Sequence, residues 1–305
     1  MYRLGAMKIR NLAKKILMAI GTLFVATAFL GCAKSGAKNA SGGKKIMASF
    51  YPLYVMLLNI TSGSDAELSL LASPDTGCLH DYQLTTGDMK NLEAADILVL
   101  NGAGMEDFVE KALEVKDESQ IVTACEGYQL FEDNAHVWLS PKGAAYEVEK
   151  ISEGLSRLDE KNAALYEENA RCYIEKILSL NEEMHSVLDE FAGKKIITFH
   201  EAFPYFAKEF NLEIVGVIER EAGTEPNAKE LKELIEIVNE EKNKSGNIYL
   251  FAEEQYSSSA SEIISEETGL KVYQLDPCVS GRLYADAYLD SMKKNLLVLQ
   301  EAFEN

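Results

Sequence analysis

A long helical pattern in the middle of the chain, with shorter alternating patterns on both sides, limits most strongly how this sequence can fold. Apolar residues recur at helical spacing from Leu165 through Ile177 and Met184 to Phe191. If residues 162–191 form one helix, that helix is roughly 45 Å long. A helix of this length can hold two domains apart, and Gly193 is a suitable residue to end it.

Short apolar runs alternate with helical patterns before and after this segment. The runs of strand length are 46–50, 68–72, 97–100, 121–123, 196–199, 214–218, 248–251 and 272–275. Helical patterns lie between them near 53–61, 88–95, 106–113, 231–238, 263–264 and 289–303. Such alternation predicts mostly parallel sheets flanked by helices. The predicted fold class is therefore α/β, with an N-terminal lobe at 44–143, a helical connector including the long linking helix at 144–192, and a C-terminal lobe at 193–305.

The first 31 residues have the three zones of an export signal. A basic start is followed by an uncharged run at 16–30, which suits a signal peptide better than a membrane span, and the run ends in Gly31-Cys32. A small residue directly before a cysteine resembles the lipobox of bacterial lipoproteins, in which this cysteine is lipidated. The alternative is an ordinary secretory peptide with an incidental cysteine. Either way we expect an extracytoplasmic protein, lipid-anchored to the cell membrane through Cys32 in the first case, with 32–43 as a flexible tether.

Charge and cysteine spacing exclude several classes of function. The net charge of −19 becomes more negative once the basic start is removed, which argues against nucleic acid as a partner. The cysteines after Cys32 are not spaced as CxxC pairs, so neither a thiolate metal knuckle nor a disulfide-dense scaffold is indicated. They are Cys78, Cys125, Cys172 and Cys278.

Three of the four histidines lie where loops are expected. His80 follows a predicted strand and turn, His136 lies in a short loop segment, and His200 stands at the carboxyl end of the run 196–199. Open α/β sheets bind ligands at the carboxyl ends of their strands, a position that Glu253 and Asp276 share with His200. His185 lies inside the long helical pattern, and we expect it to be a solvated surface residue.

Three imidazoles and a carboxylate on separate loops can close a tetrahedral site around a divalent transition metal. Two enzyme motifs fail. His200-Glu201 opens like the HExxH motif of zinc proteases, but Pro204 stands where the second histidine is needed. The G-x-S-x-G turn of serine hydrolases is also missing from the sequence. We therefore expect a binding protein rather than an enzyme.

Five segments resemble the zinc and manganese group of ABC-transporter solute-binding lipoproteins, the ZnuA-like and TroA-like members of the cluster A-I family. In chain order they are FYP at 50–52, HDY at 80–82 with NGAGME at 101–106, HVWLSP at 136–141, HEAFPYF at 200–206, and FAEEQ at 251–255 with LDP at 275–277. The resemblance covers nearly the whole mature chain. It implies two α/β lobes with the metal in the cleft between them, and delivery of the ion to the permease of an ABC importer.

The resemblance also implies the metal ligands, which are His80, His136, His200 and Asp276. Three nitrogen donors favour Zn²⁺ as the bound ion, with Mn²⁺ as the alternative. Some zinc members carry a glutamate just before the first histidine, where this chain has Leu79. The fourth ligand therefore stays open between Asp276 and a water molecule. We expect a monomer.

Three alternatives remain at this level. Cys78 and Cys278, each two residues from a proposed ligand, are either buried small residues or thiols that bind metal or pair across the cleft. The protein could instead be an adhesion-type surface lipoprotein with a structural metal. A third reading is a zinc-dependent surface hydrolase with Glu201 as its base.

Overall fold

The computed structural model describes residues 42–79, 82–109, 117–218, 226–244, 246–253 and 259–305. The predicted signal segment with Cys32, and the predicted ligand His80, lie outside these residues. Residues 42–305 form one compact unit. Within the described ranges, no helix combines the length and apolar character needed to cross a bilayer.

The N-terminal half is built on a four-stranded parallel sheet. Its elements are β1 (Lys45–Ala48), α1 (Tyr51–Ile60), β2 (Glu67–Leu70), α2 (Thr86–Ala94), β3 (Ile97–Leu100) and β4 (Ile121–Thr123). The strand order is β2-β1-β3-β4, and every pairing is parallel. Parallel pairing brings the carboxyl ends of the strands to one edge of the sheet, where the following loops can form a site.

Two helices then lead to the second half. They are α3 (Pro141–Leu158) and α4 (Ala163–Leu188), which a short 3-10 turn at Asp189–Phe191 extends. At 26 residues, α4 is about 39 Å long. It packs against α3 and α1, and against the C-terminal helix α8 (Ala287–Glu304), so it contacts elements of both halves.

The C-terminal half repeats the parallel arrangement. Its further elements are β5 (Lys195–Thr198), α5 (Pro204–Glu209), β6 (Glu213–Val217), α6 (Ala228–Lys244), β7 (Ile248–Glu253), α7 (Ser259–Thr268) and β8 (Val272–Leu275). The strand order is β6-β5-β7-β8, again with only parallel pairs. The predicted fold class, two parallel α/β halves joined by a long helix, is thus confirmed. The residue boundaries of the lobes, connector and tether stay predictions.

One hydrophobic core runs through both halves. It includes Ile46 and Val99 under the first sheet, Ile177 on α4, and Phe251 and Leu275 under the second sheet. Two smaller cores cover the outer faces of the sheets. The halves are therefore joined by buried apolar contacts as well as by the chain.

Two buried carboxylates of the N-terminal half have opposite surroundings. Glu106 accepts hydrogen bonds from the Ser49 hydroxyl and from the backbone amides of Asn101 and Gly102, at 2.7, 2.7 and 3.0 Å. Glu147 on α3 is fully buried, and neither of its carboxylate oxygens has a hydrogen-bond partner among the described residues. Burial, and secondarily the charge of Glu106, raises the pKa of Glu147 well above its ordinary value.

Glu147→Gln should therefore stabilise the protein at neutral pH. Because the folded-state pKa of Glu147 is raised, its stability contribution is fully present below the unfolded pKa of 4.5 and is lost as pH rises toward the folded pKa. Removing the ionisable group should raise the free energy of unfolding at pH 8 by about 1–2 kcal/mol, since a neutral amide costs less to bury than a charge. At pH 4 the gain should disappear. Urea unfolding at the two pH values measures this difference.

Glu106→Gln is the matched control. An amide nitrogen at this position would face backbone N–H donors, so this variant should lose stability at pH 8. Equal stability of Glu147→Gln and the parent protein at both pH values would contradict the account of Glu147.

Candidate metal centre

Three buried side chains with metal-binding atoms converge between the two sheets. Cys78 comes from the loop after β2, His136 from the segment just before the 3-10 turn Val137–Leu139, and His200 from the loop after β5. Their exposed fractions are 7%, 3% and 2%. They therefore form a water-poor group supplied by both halves of the molecule.

The donor atoms of these residues are close enough to share one ion. The Cys78 Sγ atom lies 3.5 Å from His136 Nε2 and 3.5 Å from His200 Nε2. The centroids of the two imidazole rings are 5.2 Å apart, and one ligand atom from each residue lies within 4.8 Å of the others. His136 and His200, 64 positions apart in the chain, thus lie close together, and their role as ligands stays a prediction.

A buried carboxylate orients His200. The His200 Nδ1 atom lies 2.6 Å from Glu253 Oε1, and Glu253, the last residue of β7, is 3% exposed. With the proton held on Nδ1 by this contact, Nε2 is the nitrogen that faces Cys78. Carboxylate–histidine pairs of this kind fix the ring and increase its basicity in metal sites.

The same pair shifts the pKa of His200. Burial lowers this pKa, but Glu253 and the neighbouring Cys78 raise it more, to about 10. A divalent cation that binds at Nε2 therefore competes with a proton there.

His136 is oriented by a neighbouring amide. The Asn134 Oδ1 atom accepts from the backbone N–H of His136 at 2.9 Å and lies 3.1 Å from its Nδ1. The Asn134 side chain in turn donates to the carbonyl of Glu201 at 2.6 Å, which joins the His136 segment to the His200 loop. Nε2 of His136 thereby also faces Cys78.

The segment after His136 is held by a tight start of α3. The Ser140 hydroxyl caps α3 by accepting from the amide of Gly143 at 3.0 Å. A Cβ atom at Gly143 would lie 2.1 Å from the carbonyl oxygen of Val137, so only glycine permits this approach. Helix start and 3-10 turn together fix the backbone that carries His136.

Trp138 connects this segment to the other half of the molecule. It is fully buried, its Nε1 donates to the carbonyl of Pro277 at 2.9 Å, and its own carbonyl accepts from the Tyr288 hydroxyl at 2.9 Å. Its ring packs against those of Phe50 and His136, with centroids 5.1 Å away in both cases. The position of His136 thus depends on both halves.

Asp276, the predicted carboxylate ligand, follows β8 but is not a member of the group formed by Cys78 and the two histidines. One of its oxygens, Oδ1, accepts from the backbone amide of Cys278 at 2.8 Å, and the Asn295 side chain binds both its backbone N–H and its carbonyl. Cys278 has a positive φ of 59°, which aims its amide at this carboxylate. The ligand role of Asp276 stays a prediction.

Cys78 and Cys278 both carry free thiols, so the disulfide across the cleft that the sequence left open is not formed.

His185 is not simply solvated, as the sequence suggested, because the face of α4 that carries it packs on α5. Its Nδ1 lies 2.8 Å from Asp189, its Nε2 lies 3.0 Å from Glu209, and these carboxylates raise its pKa although burial opposes them.

The sequence signals two residues of this centre only weakly. Glu253 stands at the end of a predicted strand, but its contact with His200 depends on β5 and β7 being neighbours in the sheet. The only sequence signal for Cys78 as a ligand is its spacing, two residues before His80.

Glu253→Gln should weaken zinc binding on the order of 10–100-fold, the usual cost of losing a partner that orients a metal-bound histidine. The amide can still accept from Nδ1, but it no longer supplies the negative charge that favours a cation. Competition against a chelating dye measures the affinity. Glu301→Gln, which removes a carboxylate paired with Lys271 on the surface, is the control and should bind as the parent does. Unchanged affinity in Glu253→Gln would contradict this role.

Two parallel α/β halves, a long connecting helix and histidines that converge from loops of both halves define the class of two-lobed solute-binding proteins. A solved structure of this class, the solute-binding protein FpvC from Pseudomonas aeruginosa in complex with Mn²⁺, superimposes with a TM-score of 0.77 at 28% identity, covering 86% of this chain and 98% of that one. A family model, ZnuA, described as zinc-uptake complex component A periplasmic, matches residues 46–302. The chain belongs to this family.

Two relatives extend the comparison. The chain is 30% identical over 313 residues to the zinc-binding lipoprotein AdcA of Streptococcus pneumoniae (strain ATCC BAA-255 / R6), which covers 94% of this chain and 61% of the relative. It thus spans less than two thirds of that protein's length. It is 28% identical over 316 residues to the high-affinity zinc uptake system protein ZnuA of Bacillus subtilis (strain 168), with 92% and 97% covered.

Proposed function

We propose that this protein is the extracytoplasmic metal receptor of an ABC importer. It captures Zn²⁺ as cargo and delivers it to the membrane permease, with Mn²⁺ as the alternative cargo. The observation that carries the proposal is the buried meeting of His136 and His200 from opposite halves, with Glu253 behind His200. A buried group of this kind suits a dehydrated transition-metal ion.

The proposed ligands are those that the family resemblance implies: His80, His136, His200 and Asp276. Cys32 is the proposed lipid anchor, with 32–43 as the tether that leaves the monomeric receptor near the permease. The names of the two relatives, both of which refer to zinc, support Zn²⁺, whereas the Mn²⁺ complex of FpvC supports the alternative.

A receptor agrees better with the site than an enzyme does. The side chain of Glu201, the base candidate of the hydrolase reading, is exposed, whereas the converging donors are buried. A hydrolytic site needs a base directed at the metal-bound water. Transport needs only selective capture and release.

Elemental analysis of the mature protein, purified without added metal, tests the proposal directly. We expect one zinc ion per chain. Trp138 is the only tryptophan and its ring lies 5.1 Å from that of His136, so its fluorescence should report metal binding in a competition between Zn²⁺ and Mn²⁺. Protein that retains no transition metal and shows no fluorescence response to either ion would overturn the proposal.

Removal of the metal separates transport from a purely structural role. Because one buried core joins both halves, we expect the chelated protein to stay folded and to lose only the stabilisation that ligand binding adds, about 2.7 kcal/mol at a ligand concentration of 100 Kd. Circular dichroism during a thermal scan measures this loss. Cooperative unfolding on chelation at 25 °C would instead indicate a structural metal.

A further inference from the structure

The position of Cys78 agrees with direct metal ligation. At a tetrahedral zinc ion, Zn–S and Zn–N bonds of about 2.3 and 2.0–2.1 Å place a sulfur and a nitrogen about 3.6 Å apart. The Cys78 Sγ atom lies 3.5 Å from Nε2 of both His136 and His200. The spacing that shared coordination requires is therefore already present at both contacts.

The two contacts of Cys78 also converge on one buried space. Its sulfur faces Nε2 of His136 and Nε2 of His200, and the three residues come from three separate loops. Three donor atoms directed into one space are the usual arrangement at a metal ion.

We propose that Cys78 is a thiolate ligand of the transported ion and sets its selectivity for zinc over manganese. This inference rests on the proposed function and adds to its ligand set. On binding, the Cys78 thiol releases its proton to solvent and the sulfur bonds to the ion. Thiolates favour zinc and other soft or borderline ions, whereas manganese prefers carboxylate and water oxygens. An N/S donor set therefore disfavours manganese.

Cobalt substitution provides the test, since Co²⁺ takes tetrahedral zinc sites and absorbs in the near ultraviolet by sulfur-to-cobalt charge transfer when a thiolate is bound. We expect this absorption in the parent protein and in Cys125→Ser, which removes a buried thiol outside the centre. Cys78→Ser should still bind Co²⁺ but lack the absorption. Its affinity ratio for Zn²⁺ over Mn²⁺ should fall on the order of 10-fold or more, at least the cost of losing an outer partner.

The outcomes separate this inference from the proposed function. A parent protein that binds Co²⁺ without the charge-transfer absorption overturns the role of Cys78 and leaves the receptor in place. Charge-transfer absorption that persists in Cys78→Ser also overturns the role of Cys78 and leaves the receptor in place. If the parent binds neither Co²⁺ nor Zn²⁺, the receptor itself is wrong. Because the parent spectrum alone decides the first point, a folding defect in Cys78→Ser does not leave the question open.

Discussion

His200→Ala should reduce zinc affinity by more than about 100-fold, beyond the 10–100-fold usually lost with an outer partner alone. The substitution removes one donor atom from the buried group and leaves Glu253 without the imidazole that lies 2.6 Å from it. Isothermal titration or dye competition with Zn²⁺ measures the loss.

Two further variants make this result specific. His136→Ala removes a donor whose partner is the neutral amide of Asn134, so loss of binding there cannot be attributed to a buried charge without a partner. His185→Ala removes a half-buried histidine on α4, outside the centre, and should bind zinc as the parent does. If both His136→Ala and His200→Ala kept the parent's stoichiometry and affinity, the proposed site would be wrong.

The largest effect on stability is expected from Trp138→Ala, at about 3–5 kcal/mol. Trp138 is fully buried, packs on Phe50, and donates to the carbonyl of Pro277 in the other half. Its removal leaves a cavity and a carbonyl without its donor. Urea unfolding followed by circular dichroism measures the change.

Trp138→Phe separates packing from hydrogen bonding. This variant keeps an aromatic ring but loses the bond to Pro277, so we expect a smaller loss of about 1–3 kcal/mol. If Trp138→Ala cost no more than Trp138→Phe, the packing contribution would be refuted.

The sequence predicted the strands well because buried parallel strands are short, continuous apolar runs. The runs at 97–100, 121–123 and 272–275 coincide with β3, β4 and β8.

The predicted ends of the helices were less accurate, since the end of a helix depends on local backbone geometry. The long helix ends at Leu188 rather than Phe191, because the chain tightens into a 3-10 turn before Gly193, whose φ is 79°. Of the helix predicted at 106–113, the described part is a 3-10 turn at Asp107–Val109, and 110–113 lie outside the described residues.

The candidate site was only partly predictable for a different reason. His200 could be placed because the end of a parallel strand is a recurrent ligand position. No periodic signal indicates how irregular loops approach one another, so the convergence of Cys78 with His136 and His200 follows only from the tertiary fold. The contact between Glu253 and His200 likewise follows from strand order, which apolar patterns do not specify.

The shared core also restricts how an ion can enter and leave. Swinging one sheet away from the other would wet the apolar surface between them, at roughly 25 cal/mol for each Å² exposed. Thermal motion does not readily supply that energy across an interface of many side chains. For the proposed receptor we therefore expect an ion to enter and leave by small movements near the site, while the two halves stay packed on each other.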